Sequence, residues 1–327
     1  MTEPDRRGGA AAKNVRIARL EKASDFAAFA FARSRPRLAA LEAPSIAIGA
    51  WWRGAPVGLA LGTVEPGKSA WLESVMVAAP LRRQGVAGAL LAALEEEARS
   101  AGAARIGTQY SSFLAARSGL EALLASRGWS PPAMIDIILV GLAGAMADGG
   151  GAWRPVQRAM RELTDYSVGR YDVGNARDDA AIGALLAAAP ELGVPDPRTN
   201  TPIDPEISVM IRHRGALIGW VVGERLTRSI GSGTLVPEAP SILYSGARLA
   251  DGHHKALMLV GYYRAFSRQA EIHGPASRAV YRTHPGAAAM YTFTRARFEP
   301  MALHVEERFA ASLTLTAKVS QTGLSHA

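Results

Sequence analysis

Between positions 82 and 88 the chain reads Arg82-Arg83-Gln84-Gly85-Val86-Ala87-Gly88, two guanidinium groups followed by small residues, and the chemistry such a run can do is anion binding. Gly85 and Ala87 keep bulk away from a helix start, so consecutive unpaired N–H groups can point at a pyrophosphate while the helix dipole favours negative charge there. Arg82 and Arg83 add positive charge at the same spot. The spacing is neither of the common nucleotide loops. A Walker loop needs Gly-Lys followed by Ser or Thr, and a Rossmann fingerprint needs three spaced glycines. The chain has no cysteine, which removes thiol nucleophiles, disulfides and Cys-liganded metals from consideration. His253-His254 invites a metal, but adjacent histidines point apart on a helix or strand and no carboxylates stand at ligand spacing, so no metal is expected.

The elements that must position this turn are legible around it. Trp71 to Val77 reads as a buried strand entering the turn, and Val86 to Ser100 as an amphipathic helix leaving it. Its Leu90, Leu91, Leu94 and Ala98 fall at helical spacing, and Glu95, Glu96, Glu97 and Arg99 mark the expected solvated side. Gly102 stands where a C-cap glycine is expected. Upstream, Ser45 to Trp52 and Pro56 to Gly62 are apolar strand-like runs joined by Arg53-Gly54-Ala55, a hairpin turn. Downstream come a strand over 104–110, a helix over 115–127, Gly128-Trp129, and a strand over 133–142.

The pattern Arg82-x-x-Gly85-x-Ala87 after Val75-Met76-Val77 resembles the acyl-CoA signature of the GCN5-related N-acetyltransferase (GNAT) superfamily. The order of elements is that of the superfamily, and Leu120 to Trp129 resembles its second signature, a helix ending in Gly-Phe or Gly-Trp. The resemblance covers roughly residues 14 to 143. It implies that the backbone amides of Arg83 through Gly88 hold the cofactor, while Val75 to Val77 pairs with the pantetheine arm and supplies an N–H to the thioester carbonyl.

Acetyl transfer to an amine also needs a base for the ammonium and a proton for the leaving thiolate. The resemblance offers Glu73 as the base. For the acid it commonly supplies a tyrosine where this chain has Leu124, which leaves Tyr110 and Ser118 as candidates here. Trp51-Trp52 is expected to pack on one face of the hairpin and line the acceptor groove on the other.

Residues 150 to 310 repeat the plan. Arg53-Gly-Ala-Pro-Val-Gly58 recurs as Arg214-Gly-Ala-Leu-Ile-Gly219, Trp71-Leu-Glu-Ser74 aligns with Ile242-Leu-Tyr-Ser245, and the helix Leu257 to Ile272 ends at Gly274. At the decisive turn Ala256 and Leu259 replace Gly85 and Gly88, so this copy is expected not to grip CoA in the usual way. Its His284 to Tyr291 resembles the second signature with the tyrosine present, which makes Tyr291 a further acid candidate if the two copies share a cleft. Tyr244 reads as a structural tyrosine.

At 327 residues the chain is comfortable for two such modules. The expected fold class is therefore α/β: two tandem GNAT-like modules, each a mixed, mostly antiparallel sheet flanked by helices. The expected boundaries are a tail at 1–13, an acyl-CoA-binding domain at 14–145, a linker at 146–154, a degenerate domain at 155–312 and a tail at 313–327. Gly149-Gly150-Gly151 supplies the link, and the stretch from Pro190 to Pro205, with five prolines, reads as a long loop. The net charge of +8 is spread over scattered arginines without aromatic interleaving, which argues against nucleic acid and suits a polyanionic cofactor. No signal peptide or long apolar run is present, so a cytoplasmic location without membrane association is expected. The function expected is direct transfer of an acetyl or other acyl group from acyl-CoA to a small-molecule amine. A protein or RNA amine as acceptor and a non-catalytic acyl-CoA sensor are the alternatives, and a homodimer is left open.

Overall fold

The computed structural model describes residues 14–39, 41–65, 68–149, 153–190, 194, 196–199 and 203–315. The expected tail at 1–13, residues 316–327 of the expected C-terminal tail, and Gly150-Gly151 lie outside them. The chain divides into two compact units, Met1–Ala133 with Phe309–Ala327, and Met134–Arg308.

The first unit is a mixed sheet in the order β1 (Val15–Arg19), β2 (Ser45–Trp52), β3 (Ala55–Val64), β4 (Ser69–Val77), β5 (Arg105–Ser111), followed by the Phe309–Thr314 end of β12 (His304–Thr314). β1 to β4 are antiparallel neighbours, and β4 and β5 run parallel. The β2–β3 hairpin closes on Arg53 and Gly54, both with positive φ (51° and 84°), the backbone a tight hairpin of matching twist requires. Helix α2 (Val86–Ser100) buries Leu90, Leu91, Leu94 and Ala98 on one face of this sheet, against Ile46, Ala60 and Leu72. Each such leucine is worth about 2 kcal/mol in area removed from water. On the other face, Leu38 of the short helix α1 (Arg35–Ala39) joins Phe26, Leu59 and Leu61. α2 ends as expected: Gly102 has φ 77° and the Ala103 amide returns to the Ala98 carbonyl at 3.0 Å.

Glu95 corrects the expectation of a solvated acidic side on α2. It is buried, and it accepts Arg127 Nε at 3.0 Å and the Trp129 indole N–H at 3.0 Å. The helix α3 (Arg117–Ser126) and its Gly128-Trp129 end are thereby tied to α2. The helical period places a residue on a face but does not say whether a later segment covers that face.

The second unit orders its strands β7 (Tyr166–Arg170), β8 (Val209–His213), β9 (Ala216–Arg225), β10 (Ser241–Leu249), β11 (Arg278–Thr283), β6 (Ala133–Leu142), with β10 and β11 parallel and the other pairs antiparallel. Its hairpin again closes on positive φ, at Arg214 (49°) and Gly215 (80°). Helix α7 (Ala256–His273) packs Tyr262, Ala265 and Phe266 on one face, while Ile182 of α6 (Ala176–Ala187) packs with Trp220 and Val222 on the other. The residues between the last β6 position and Gly149 form a helix, α4 (Ala143–Asp148), where part of a flexible link was expected.

Both copies carry a β-bulge at the same place. In β4 the pairing with β3 jumps from Leu72 to Ser74, leaving Glu73 as the extra residue, and Gly62 sits opposite because a Cβ there would lie 2.4 Å from the Trp71 carbonyl. In β10 the jump from Tyr244 to Gly246 leaves Ser245 extra. The bulges therefore equate Glu73 with Ser245, one residue away from the sequence alignment of Glu73 with Tyr244. An apolar pattern cannot show an inserted residue, and the bulge shifts the register by one.

Candidate active site

β4 and β5 are paired only from Ser69↔Arg105 to Leu72↔Thr108, and then separate. Thr108 Oγ1 donates to the Leu72 carbonyl at 3.0 Å at the point of separation. Beyond it, the Ala78 amide donates to the Val57 carbonyl of β3 at 2.8 Å. Strand alternation then turns the amides of Val75 and Val77 to the edge away from β3, while Met76 faces β3 with its backbone. The result is a short open edge that an extended, amide-bearing arm can join as a strand.

The turn continues from this edge. Arg82 Nε donates to the Val77 carbonyl at 3.1 Å and Gln84 Nε2 to the Pro80 carbonyl at 2.9 Å, which fixes the start of the loop. Arg83 (φ 61°) and Gly85 (φ 85°) are both left-handed. Among the described residues, the amides of Arg83, Gln84, Gly85, Val86, Ala87 and Gly88 have no hydrogen-bond acceptor within the chain; the first helical bond runs from the Ala89 amide to the Gly85 carbonyl at 3.0 Å. A Cβ on Gly85 would meet nothing within 4 Å, so the space in front of these amides is open. Six free donors at a positive helix end are an arrangement able to take an anion such as a diphosphate.

The corresponding end of α7 is built differently. His254 Nδ1 accepts the Ala256 amide at 3.1 Å, the His254 carbonyl accepts the Leu257 amide at 2.9 Å, and the Lys255 carbonyl accepts the Met258 amide at 3.2 Å. The residue preceding the helix is Lys255, so Lys255 rather than Ala256 stands where α2 has Gly85. His253 meets the Tyr166 hydroxyl at 3.3 Å and lies edge-on to His213. No group of three or more His, Cys, Asp or Glu side chains able to hold a metal exists among the described residues.

Glu73 lies at the bulge, and Arg37 of α1 donates to its carboxylate. The charged partner is what sequence reasoning missed; the run Arg35-Pro36-Arg37 was its only trace. Trp71, on the same strand, is 40% exposed. Tyr110, two residues beyond the last β4–β5 pair, donates its hydroxyl to Glu121 Oε1 at 3.1 Å, and Arg117 Nε donates to the same oxygen at 2.8 Å. Its ring stacks on Phe309 at 6.0 Å, and Arg117 lies 4.0 Å over the same phenyl ring. Burial, reinforced by the Glu121 bond, pushes the Tyr110 hydroxyl up to about 12. The Arg117 bond holds the Glu121 carboxyl below its ordinary range. Ser118 is exposed in the first turn of α3, and Leu124 is buried in the core.

Trp51 packs edge-on to Phe26 at 5.1 Å, with Arg16 4.4 Å over its other side, and Arg53 covers Trp52 at 4.4 Å, so both indoles are held by their own unit. In the second unit, Tyr291 of α8 (Ala288–Arg297) accepts Arg295 Nε at 3.2 Å and Nη2 at 3.1 Å. Tyr244 is buried and donates to Gln269 at 2.9 Å, a structural bond. The first unit thus brings Glu73, Val75, Val77, Tyr110 and the 82–88 turn to one end of its sheet.

Residues 15–117, which hold the turn of free amides and the parting pair of parallel strands, match the acetyltransferase (GNAT) family. The whole chain has the fold of a tandem GNAT protein. The chain is similar to a tandem GNAT protein from the clavulanic acid biosynthesis pathway, with 13% identity and a TM-score of 0.50, covering 92% of this chain and 99% of that one. It is also similar to a GCN5-related N-acetyltransferase from Sphaerobacter thermophilus (14% identity, TM-score 0.44, 82% and 80% covered). Over 36% of its length it is similar to 77% of the ribosomal-protein-S18-alanine N-acetyltransferase from Escherichia coli (25% identity, TM-score 0.30). Comparison with curated proteins gives no match. No helix among the described residues is long and apolar enough to cross a membrane.

Proposed function

We propose that the first unit binds acetyl-CoA, or another acyl-CoA, and transfers the acyl group directly to a primary amine of a small molecule. The six free amides at the start of α2 carry this reading, because the matching end of α7 has three of its amides satisfied internally. The pyrophosphate occupies the turn from Arg83 to Gly88, and the pantetheine arm joins the edge at Val75 and Val77. There, an amide polarises the thioester carbonyl and holds the oxyanion that forms on attack. Glu73, released from Arg37, takes the ammonium proton. The amine nitrogen then bonds to the carbonyl carbon, the carbon–sulfur bond breaks, and the thiolate takes its proton from Tyr110, directly or through water, while the surplus proton on the nitrogen returns through water to the Tyr110 oxygen, leaving a neutral amide and the CoA thiol. The absence of cysteine suits a direct route without a covalent enzyme intermediate. Ser118 serves as the acid only if Tyr110→Phe leaves the rate unchanged.

The Arg37 pairing of Glu73 and the leucine at 124 favour the second reading, an acyl-CoA sensor without turnover. Mixing the protein with acetyl-CoA and a panel of small amines while following free thiol decides between them. Thiol release that depends on the amine and falls 10²- to 10⁴-fold in Glu73→Gln supports the enzyme. Calorimetric binding of acetyl-CoA without thiol release from any small amine, peptide or RNA refutes it. Release only with peptide or RNA moves the acceptor to that class. A cytoplasmic location fits this reading.

A further inference from the structure

The second unit contains two buried hydrogen-bond donors, on paired strand positions, that have no acceptor among the described residues. Arg248 of β10 pairs directly with Trp220 of β9, and both side chains stand on the α6 face of the sheet. Trp220 is fully buried and Arg248 is 7% exposed, yet neither Trp220 Nε1 nor Arg248 Nε has a partner among the described residues. Arg248 Nη1 donates to the Leu249 carbonyl. Its Nη2 has only Asp251 Oδ2, 3.9 Å away on a side chain that is 99% exposed. A guanidinium taken out of water without a close carboxylate carries a large desolvation penalty, and a buried indole N–H without an acceptor adds to it.

The first unit shows that the fold does not require this. Counting from the two hairpin turns and the two bulges, Trp220 and Arg248 occupy the places of Leu59 and Met76, an apolar pair. Among the described residues, Asp178 pairs with Arg212, Asp204 with Arg225 and His273, and Glu224 with Ser245. With Nη1 engaged, the guanidinium presents its Nε and Nη2 edge, the planar fork that matches the two oxygens of a carboxylate.

We infer that the second unit binds a small carboxylate, held bidentate by Arg248 Nε and Nη2 with the Trp220 indole N–H as third donor. Asp251 competes weakly for Nη2. The site lies on the sheet face opposite α7 and its blocked helix end, so it does not depend on CoA.

The test uses the full chain, labelled with nitrogen-15 at tryptophan and titrated with sodium acetate and sodium benzoate against sodium chloride at constant ionic strength. The Trp220 indole signal, assigned by its loss in Trp220→Phe, should shift downfield and saturate while the other five of the six tryptophans stay still. Arg248→Met, which installs the first unit's residue, should weaken binding roughly 10-fold or more. Arg248→Lys should also weaken it, since it keeps the charge and loses the fork, and Asp251→Asn should tighten it. Should Arg248→Met fail to fold, the indole titration of wild type and Asp251→Asn still decides. An unmoved Trp220 indole, or equal affinity in Arg248→Met, overturns the inference, and a buried water then satisfies both donors.

Discussion

Replacing Gly85 with valine separates what the turn costs the fold from what it does for the ligand. Gly85 has φ 85°, where a side chain costs about 1–2 kcal/mol, and a Cβ there would meet nothing within 4 Å, so no clash adds to that strain. At about 2–4 °C per kcal/mol, the variant should melt roughly 2–8 °C below wild type and remain folded at 25 °C. The branched side chain would stand in the open space before the six free amides. Displacing the pyrophosphate from two of them forfeits two charge-assisted bonds of about 1.5–3 kcal/mol each. The dissociation constant for CoA, measured by calorimetry, should therefore rise roughly 10²- to 10⁴-fold. In the second unit, Ala256→Gly should create no CoA binding, because the Ala256 amide is already held by His254. A Gly85→Val protein that melts where expected yet binds CoA as tightly as wild type would refute the assignment of the site.

Tyr110 supplies a pH prediction. Its folded pKa is raised to about 12 from the ordinary 10, so its stabilising contribution is complete below pH 10 and disappears as pH rises toward 12; alkaline unfolding of wild type and Tyr110→Phe should diverge less above pH 12 than at pH 9. Glu95→Ala strands Arg127 and the Trp129 N–H and should cost about 3–5 kcal/mol in urea unfolding, and a loss under 1 kcal/mol would show that water replaces the carboxylate. Arg37→Met should leave acetyl-CoA affinity unchanged while changing the rate of amine-dependent thiol release, because it frees the Glu73 carboxylate; an unchanged rate would show that the Arg37 pairing does not restrain the base.

The strand, turn and helix around residues 69–100 were legible because each obeys a local rule. An apolar run enters, glycine sits where φ is positive, and leucines recur at helical spacing. The same rules found both hairpins and the ends of α2 and α7. What escaped depends on segments distant in sequence. Arg37 reaches Glu73 from 36 positions away, and Arg127 covers Glu95 from 32. No local pattern encodes such pairs. The bulges at Glu73 and Ser245 escaped for a different reason: one extra residue leaves composition and hydrophobicity unchanged while displacing every later side chain. The unpaired edge at Val75 and Val77 follows from where β4 and β5 part, and strand propensity says nothing of where pairing stops.

The histidine cap on α7 makes the difference between the two copies a difference of several steps. Changing His254 to glycine would release the Ala256 amide alone, since the Leu257 and Met258 amides remain closed by the backbone carbonyls of His254 and Lys255. Restoring an open end would take a new loop path as well as new side chains, and any single substitution along the way would leave a helix start with neither its own cap nor a ligand. On the function proposed above, a local sequence barrier therefore stands between the second copy and CoA.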